Sequence, residues 1–137
     1  CGPEIIPYLR EVIDESGKRR QVTIISFNLD VVVQSKKVMP DVPHYYLRSP
    51  AKDARTGQPQ PYDYKLIQTA LDNGLDGLDL HYSMVTKEFA DAVKAKGLAL
   101  WTWTVNDPAE AKHQAELGVD GLGTDRCAWL KEQMGIR

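Results

Sequence analysis

Short apolar runs of strand length alternate strictly with apolar stripes of helical period along the whole of this chain. An opening helix is followed by five strand–helix units, and such alternation dictates a parallel sheet joined by right-handed crossovers. Ile5, Ile6, Leu9, Val12 and Ile13 share one helical face between Pro3 and the breaker Gly17. Val22-Thr-Ile-Ile-Ser-Phe27 reads as a strand apolar on both sides, as buried parallel strands are. Residues 29–38 form a helix closed by Pro40 and Pro43, and residues 44–47 a second strand. Residues 49–63, with three prolines and Gly57, are a loop. A helix over 64–73 ends at Gly74, and Gly77-Leu-Asp-Leu-His81 is the third strand. Thr86 starts a helix that Gly97 stops, and residues 98–105 form the fourth strand. Asp107-Pro108-Ala-Glu110 opens the next helix as a capping box with proline at the first helical position. Residues 120–124 complete the strands and residues 127–134 the helices.

Five such units suit two architectures. A closed barrel needs eight strands and about 250 residues, so this chain fits a partial (β/α)8 TIM barrel lacking its first three strands. The rival is a complete doubly wound domain, which usually carries a glycine-rich phosphate loop after its first strand, and Ser26-Phe27-Asn28 is not one. Repetition favours the barrel. Gly74-Leu-Asp-Gly-Leu78 recurs two units later as Gly118-Val-Asp-Gly-Leu122, so alternate strands are entered through the same turn. The expectation is one domain over 1–137, the C-terminal portion of a barrel. Cys1 points the same way, because a truncated piece explains that start better than a lipidated cysteine without a linker.

A net charge of -2 without a Lys/Arg cluster argues against a nucleic-acid surface. Lys18-Arg19-Arg20 and Lys36-Lys37 read as solvated helix ends. No run approaches the roughly 18 apolar residues that a membrane span needs. Cys1 and Cys127 lack metal-ligand spacing and are too few for a disulfide framework.

Ligands of parallel α/β folds bind at the carboxyl ends of the strands. Those ends carry Ser26, Phe27 and Asn28, then Arg48 and Ser49, then His81 and Tyr82. Trp103, Thr104 and Asn106 follow, then Thr124, Asp125 and Arg126. The set is aromatic and neutral with a single carboxylate, which suits a pocket wall and not a divalent-cation site.

Three of these stretches carry a resemblance. Val22-Thr-Ile-Ile-Ser-Phe27, Leu98-Ala-Leu-Trp-Thr-Trp-Thr-Val-Asn-Asp107 and Gly118-Val-Asp-Gly-Leu-Gly-Thr-Asp-Arg126 resemble, in order, signature strands of the glycerophosphodiester phosphodiesterases. The opening Cys-Gly-Pro-Glu-Ile is similar to the helix after that family's third strand. The resemblance implies hydrolysis of glycerophosphodiesters to an alcohol and glycerol 3-phosphate, with a bound Ca²⁺ or Mg²⁺ and two histidines. It places those groups on a His-Arg-Gly motif, a Glu-x-Asp, a later His and a Glu-x-Lys, none of which occurs here. The chain by itself is therefore expected to bind no metal and to be inactive.

What the resemblance leaves to this chain is the pocket. It implies that Phe27 and Trp103 line the substrate site, and His81 is a third candidate contact. Trp101 is assigned to the core, His44 and His113 to structural roles, and Asp125 to holding the last loop against basic groups. The expected partners are a small glycerophosphodiester and either a second copy or a missing N-terminal half that completes the barrel. A non-catalytic module that binds glycerophospho-compounds, or assembles with a partner, is the alternative.

Overall fold

The computed structural model describes residues 2–136. Its spine is one five-stranded parallel sheet in the order β1–β2–β3–β4–β5, the order of the sequence. The strands are β1 (Ile24–Ser26), β2 (His44–Arg48), β3 (Gly77–His81), β4 (Ala99–Trp103) and β5 (Gly121–Leu122). The helices are α1 (Ile6–Glu15), α2 (Leu29–Val38), α3 (Lys65–Asp72), α4 (Lys87–Ala95), α5 (Pro108–Leu117) and α6 (Cys127–Gln133). A doubly wound sheet reverses its strand order and packs helices on both faces, whereas a barrel runs sequentially with helices outside. Here the order is sequential. Leu78, Leu80 and Leu100, all 0% exposed, share one cluster with Val32 of α2, Ile67 of α3, Val93 of α4 and Leu117 of α5. One outer face therefore takes all four helices, and the doubly wound rival falls away. No helix among the described residues is long and apolar enough to cross a membrane.

Local chemistry sets the helix starts. The side chains of Asn28, Thr86 and Asp107 accept hydrogen bonds from the backbone N–H groups of Val31, Phe89 and Glu110. The capping box at α5 is half formed. Glu110 accepts from Gln114 Nε2 at 2.8 Å instead of reaching back to the cap.

The repeated turn is a working device in both copies. Gly74 and Gly118 end their helices at φ 64° and 87°, in the left-handed region that favours glycine. Asp76 then accepts from His44 N at 2.8 Å and from Lys36 Nζ at 2.8 Å. Asp120 does the same for Leu100 N at 2.9 Å, with Lys94 Nζ at 3.7 Å. Each carboxylate thus caps the start of the neighbouring strand and anchors a lysine from a helix outside it. The glycine that follows leaves room for rings. A Cβ on Gly77 would lie 2.9 Å from the Tyr45 ring, and one on Gly121 2.6 Å from Trp101 Nε1. The space lets Tyr45 and Trp101 meet edge to face, with centroids 5.2 Å apart.

Several sequence expectations shift. The first strand covers 24–26 instead of 22–27, because Gln21 and Val22 are drawn into the turn at Arg19–Gln21. The last covers 121–122 instead of 120–124, although backbone bonds from Gly123 N to Thr102 O and Val105 N to Gly123 O continue its pairing. Both are edge strands, paired on one side. The basic runs are not simply solvated. Arg19 pairs with Asp14 and Asp41, and holds the Asp41 carboxyl down at about 2. Lys36 reaches Asp76 and the Pro40 carbonyl with its side chain 17% exposed.

Candidate functional site

Strand alternation divides β3 cleanly. Leu78 and Leu80 face the helices, so Gly77, Asp79 and His81 face the inner side of the sheet. Register carries this across to β4, where Asp79 pairs with Trp101 and His81 with Trp103. At the carboxyl end three candidate residues come together. His81 packs edge to face on Trp103 at 5.2 Å between centroids, and Phe27 of the loop after β1 does so at 5.7 Å. Phe27 and Trp103 belong to strands three places apart, so the sheet curls enough for them to meet over its concave side. Phe27 is nonetheless 55% exposed. Tyr82 stacks on the His81 ring at 4.8 Å between centroids.

Each ring is held by its own support. Ser26 Oγ accepts from Asn28 N at 3.1 Å, a turn that presents the intervening Phe27. Trp103 Nε1 donates to the Asp79 carbonyl at 3.3 Å. His81 Nδ1 accepts from Ser83 N at 3.4 Å and lies 2.9 Å from Ser83 Oγ, so the proton of the neutral ring sits on Nε2. Asn106 ties the ends of β4 and β5. Its Oδ1 accepts from Thr124 Oγ1 and Asp125 N, and its Nδ2 donates to Asp125 Oδ2 at 2.8 Å. Asp125 thus holds its loop through a neutral amide and not through a basic group. The neighbouring Arg126 lies 3.9 Å above the Trp129 ring.

The remaining histidine at a strand, His44, lies at the opposite end and is 0% exposed. Val42 O can only accept, so Nδ1 donates to it at 2.7 Å, and Nε2 accepts from Ser35 Oγ at 2.8 Å. Burial pulls its pKa below the usual histidine range and keeps the ring neutral.

Two residues on this side were not singled out from the sequence. Tyr62, from the proline-rich loop, places its hydroxyl 3.0 Å from the His81 carbonyl and 3.2 Å from the Arg48 carbonyl. It pins that loop across the ends of β2 and β3, and burial raises its pKa. Pro61-Tyr62 in a polar loop was a signal of sorts, since a lone aromatic there needs somewhere to pack. Asp79 is the other. It is 4% exposed, its Oδ1 has no hydrogen-bond partner among the described residues, and burial pushes its carboxyl up to about 6.

The arrangement can stack a ligand and orient it, and it offers little for a divalent cation. Among the described residues no three His, Cys, Asp or Glu side chains gather in a way that holds a metal ion. The one inward carboxyl on β3, Asp79, is enclosed. The residues of this chain do not fit the Ca²⁺ or Mg²⁺ that the resemblance implies.

Comparisons with known proteins agree on the kinship. The sequence model of the Glycerophosphoryl diester phosphodiesterase family matches residues 2–128. Human glycerophosphocholine phosphodiesterase is 28% identical over 93% of this chain, which spans 20% of the human protein's length. An Oleispira antarctica phosphodiesterase, solved with the product sn-glycerol-3-phosphate, superposes with a TM-score of 0.79 at 19% identity. The match covers 97% of this chain and 50% of that one. A Parabacteroides distasonis glycerophosphodiester phosphodiesterase gives a TM-score of 0.75 at 19% identity, over 97% and 51%. The chain therefore spans about a fifth of the curated relative and about half of these solved structures. With the parallel sheet and the ordered signature strands, the family match settles the assignment: this chain belongs to the glycerophosphoryl diester phosphodiesterase family.

Proposed function

We propose that this chain forms the carboxyl-terminal half of a phosphodiester hydrolase barrel and supplies the aromatic wall of its substrate pocket. The observation that carries the reading is the convergence of Phe27, His81 and Trp103 at the carboxyl end of the sheet, in a member of this family. The substrate class is glycerophosphodiesters, cleaved to an alcohol and glycerol 3-phosphate. Phe27 and Trp103 stack on the uncharged or quaternary-ammonium part of the substrate, and His81 flanks it. Aromatic faces attract alkylammonium groups, and the human relative's name specifies glycerophosphocholine. The Ca²⁺ or Mg²⁺ and the proton-transferring histidines belong to the other half of the barrel, so this chain by itself does not turn over substrate.

The test is Trp103→Ala in the full-length product of the gene. With glycerophosphocholine and Mg²⁺ or Ca²⁺, kcat/KM is expected to fall by roughly tenfold or more while the melting temperature falls little. Loss of stability with unchanged kcat/KM assigns Trp103 to packing and removes it from the pocket. A full-length product without any metal-dependent turnover favours the second reading, a non-catalytic module binding glycerophospho-compounds.

A further inference from the structure

The sheet has a second recess at its carboxyl end, on the side away from the aromatic wall. By register Tyr46 and Arg48 of β2 lie on the outer side with Leu78 and Leu80 of β3. Helices α2 and α3 and the proline-rich loop close around them and leave a pocket of about 380 Å³. That size falls within the range of small-ligand sites, about 300–1,000 Å³. Phe27, His81 and Trp103 do not line it. β2 has a neighbour on each side in this sheet, so every wall of the recess comes from this chain.

The lining has an apolar part and a charged part. Leu29, Leu66 and the buried rings of Tyr46 and Tyr62 supply the first, and Arg48 and Lys65 the second. Arg48 Nη1 donates to Tyr46 Oη at 3.1 Å, and its guanidinium lies 5.4 Å from the centre of that ring. This orients the guanidinium and uses one of its five N–H groups. Among the described residues neither Arg48 nor Lys65 forms an ion pair, whereas Arg19, Lys36 and Lys94 each find an aspartate. Asp63 is the one carboxylate in the lining, and its Oδ1 accepts from the backbone Lys65 N at 2.9 Å. Two cations thus stand against one anion beside an aromatic and aliphatic surface.

We propose that this recess binds a phosphate monoester with a small uncharged body, its head group on Arg48 and Lys65 and its body against Tyr46, Leu29 and Leu66. A guanidinium fork takes two phosphate oxygens side by side and leaves a third for the Lys65 ammonium. A carboxylate has only two oxygens, which the fork alone occupies. Tyr62 is the link to the concave side, since its ring lines this pocket while its hydroxyl lies 3.0 Å from the His81 carbonyl. The site goes beyond the hydrolase reading and stands whether or not the full-length protein cleaves phosphodiesters.

Titration calorimetry of the full-length product of the gene with phenyl phosphate, near pH 7 and with divalent cations removed, tests it. Saturable binding is expected, weakened roughly tenfold or more by Arg48→Gln and unchanged by Trp103→Ala. Inorganic phosphate and benzoate are each expected to bind about tenfold more weakly, the first for want of a body and the second for want of a third oxygen. Lys65→Gln, at an exposed position, is expected to weaken phenyl phosphate severalfold, and it serves as the second variant if Arg48→Gln lowers the melting temperature. Absence of saturable binding, or binding that both substitutions leave intact, overturns the proposal. Binding lost in Trp103→Ala puts the ligand on the aromatic wall and overturns it too. Benzoate bound as tightly as phenyl phosphate overturns the assignment to phosphate. None of these readings depends on phosphodiester turnover, so failure of the hydrolase reading is seen separately.

Discussion

At the scale of single residues, the two most enclosed ionisable groups on the strands push stability in opposite directions as pH changes. Asp79 is raised to about 6 from an ordinary 3.8 by burial. The folded state therefore holds a proton that the unfolded state has released between about pH 4 and 6, and stability falls as pH rises through that window. A gap of that size corresponds to about 3 kcal/mol lost by neutral pH. Asp79→Asn removes the ionisation, so in this chain it is expected to stabilise by up to about 3 kcal/mol at pH 7 and by almost nothing near pH 4. Denaturant midpoints at the two pH values check this, and an equal gain at both would mean that Asp79 is not ionising in a buried site. His44 has the other sign. Its folded pKa is depressed by burial, so its contribution is present above pH 6.5 and is lost as pH falls toward its folded value.

At the scale of elements, the strands are specified by what the turns before them permit. The Gly-Leu-Asp-Gly-Leu turn and its Gly-Val-Asp-Gly-Leu partner each end a helix, cap a neighbouring strand and clear space for an aromatic ring. The last of these makes a sharp prediction. Gly121→Ala would set a methyl group 2.6 to 2.8 Å from three atoms of the Trp101 ring, on an edge strand with somewhere to move. Gly77→Ala would set one 2.5 Å from the Ala99 carbonyl, which is main chain on a paired strand. Overpacking of this kind costs about 1–3 kcal/mol, and Gly77→Ala is expected to be the more damaging of the two. Thermal unfolding of both variants checks the ranking, and near-UV circular dichroism should show the Trp101 signal altered in each. A Gly121→Ala protein as stable as wild type with an unchanged signal would rule out the close approach to Trp101.

At the scale of the molecule, the outer face is finished and the inner face is not. The helices bury Leu78, Leu80 and Leu100 completely, while Ile25 and Phe27 on the concave side remain about half exposed. Local opening follows the pattern of burial, so stability is expected to be graded across the sheet and highest at its centre. Amide hydrogen exchange should be slowest at Leu78, Leu80 and Leu100, which sit between paired strands, and faster at Ile25 and Leu122 on the edges. Uniform protection across β1 to β5 would mean that both edges are covered in solution by something that pairs with them. The same gradient explains why the edge strands are the shortest elements in the sheet: each has one neighbour to hold its ladder.

The order of elements was legible in the sequence because helix and strand periods differ and each boundary carries a local signal. The helix over 29–38 and the strand over 77–81 have the bounds expected from their pattern. Asn28, Thr86 and Asp107 cap, and Gly74 and Gly118 stop, by chemistry that acts within a few residues. The meeting of Phe27, His81 and Trp103 was legible too, since each lies at a strand's carboxyl end and the two-residue alternation puts them on one face. What the sequence could not show was which distant groups meet. Nothing local to Asp79 distinguishes a buried carboxyl with an unpartnered oxygen from a solvated one, because its surroundings are set by the neighbouring strand, where Trp101 lies in register with it. Asp125 finds the Asn106 amide, Lys36 finds Asp76, and Tyr62 finds the carbonyls of two strands, each across a long loop of chain. The fraying of the first and last strands likewise follows from having one neighbour, a property of the assembled sheet. Short-range sterics and capping wrote the elements, and long-range burial and pairing decided which side chains they bring together.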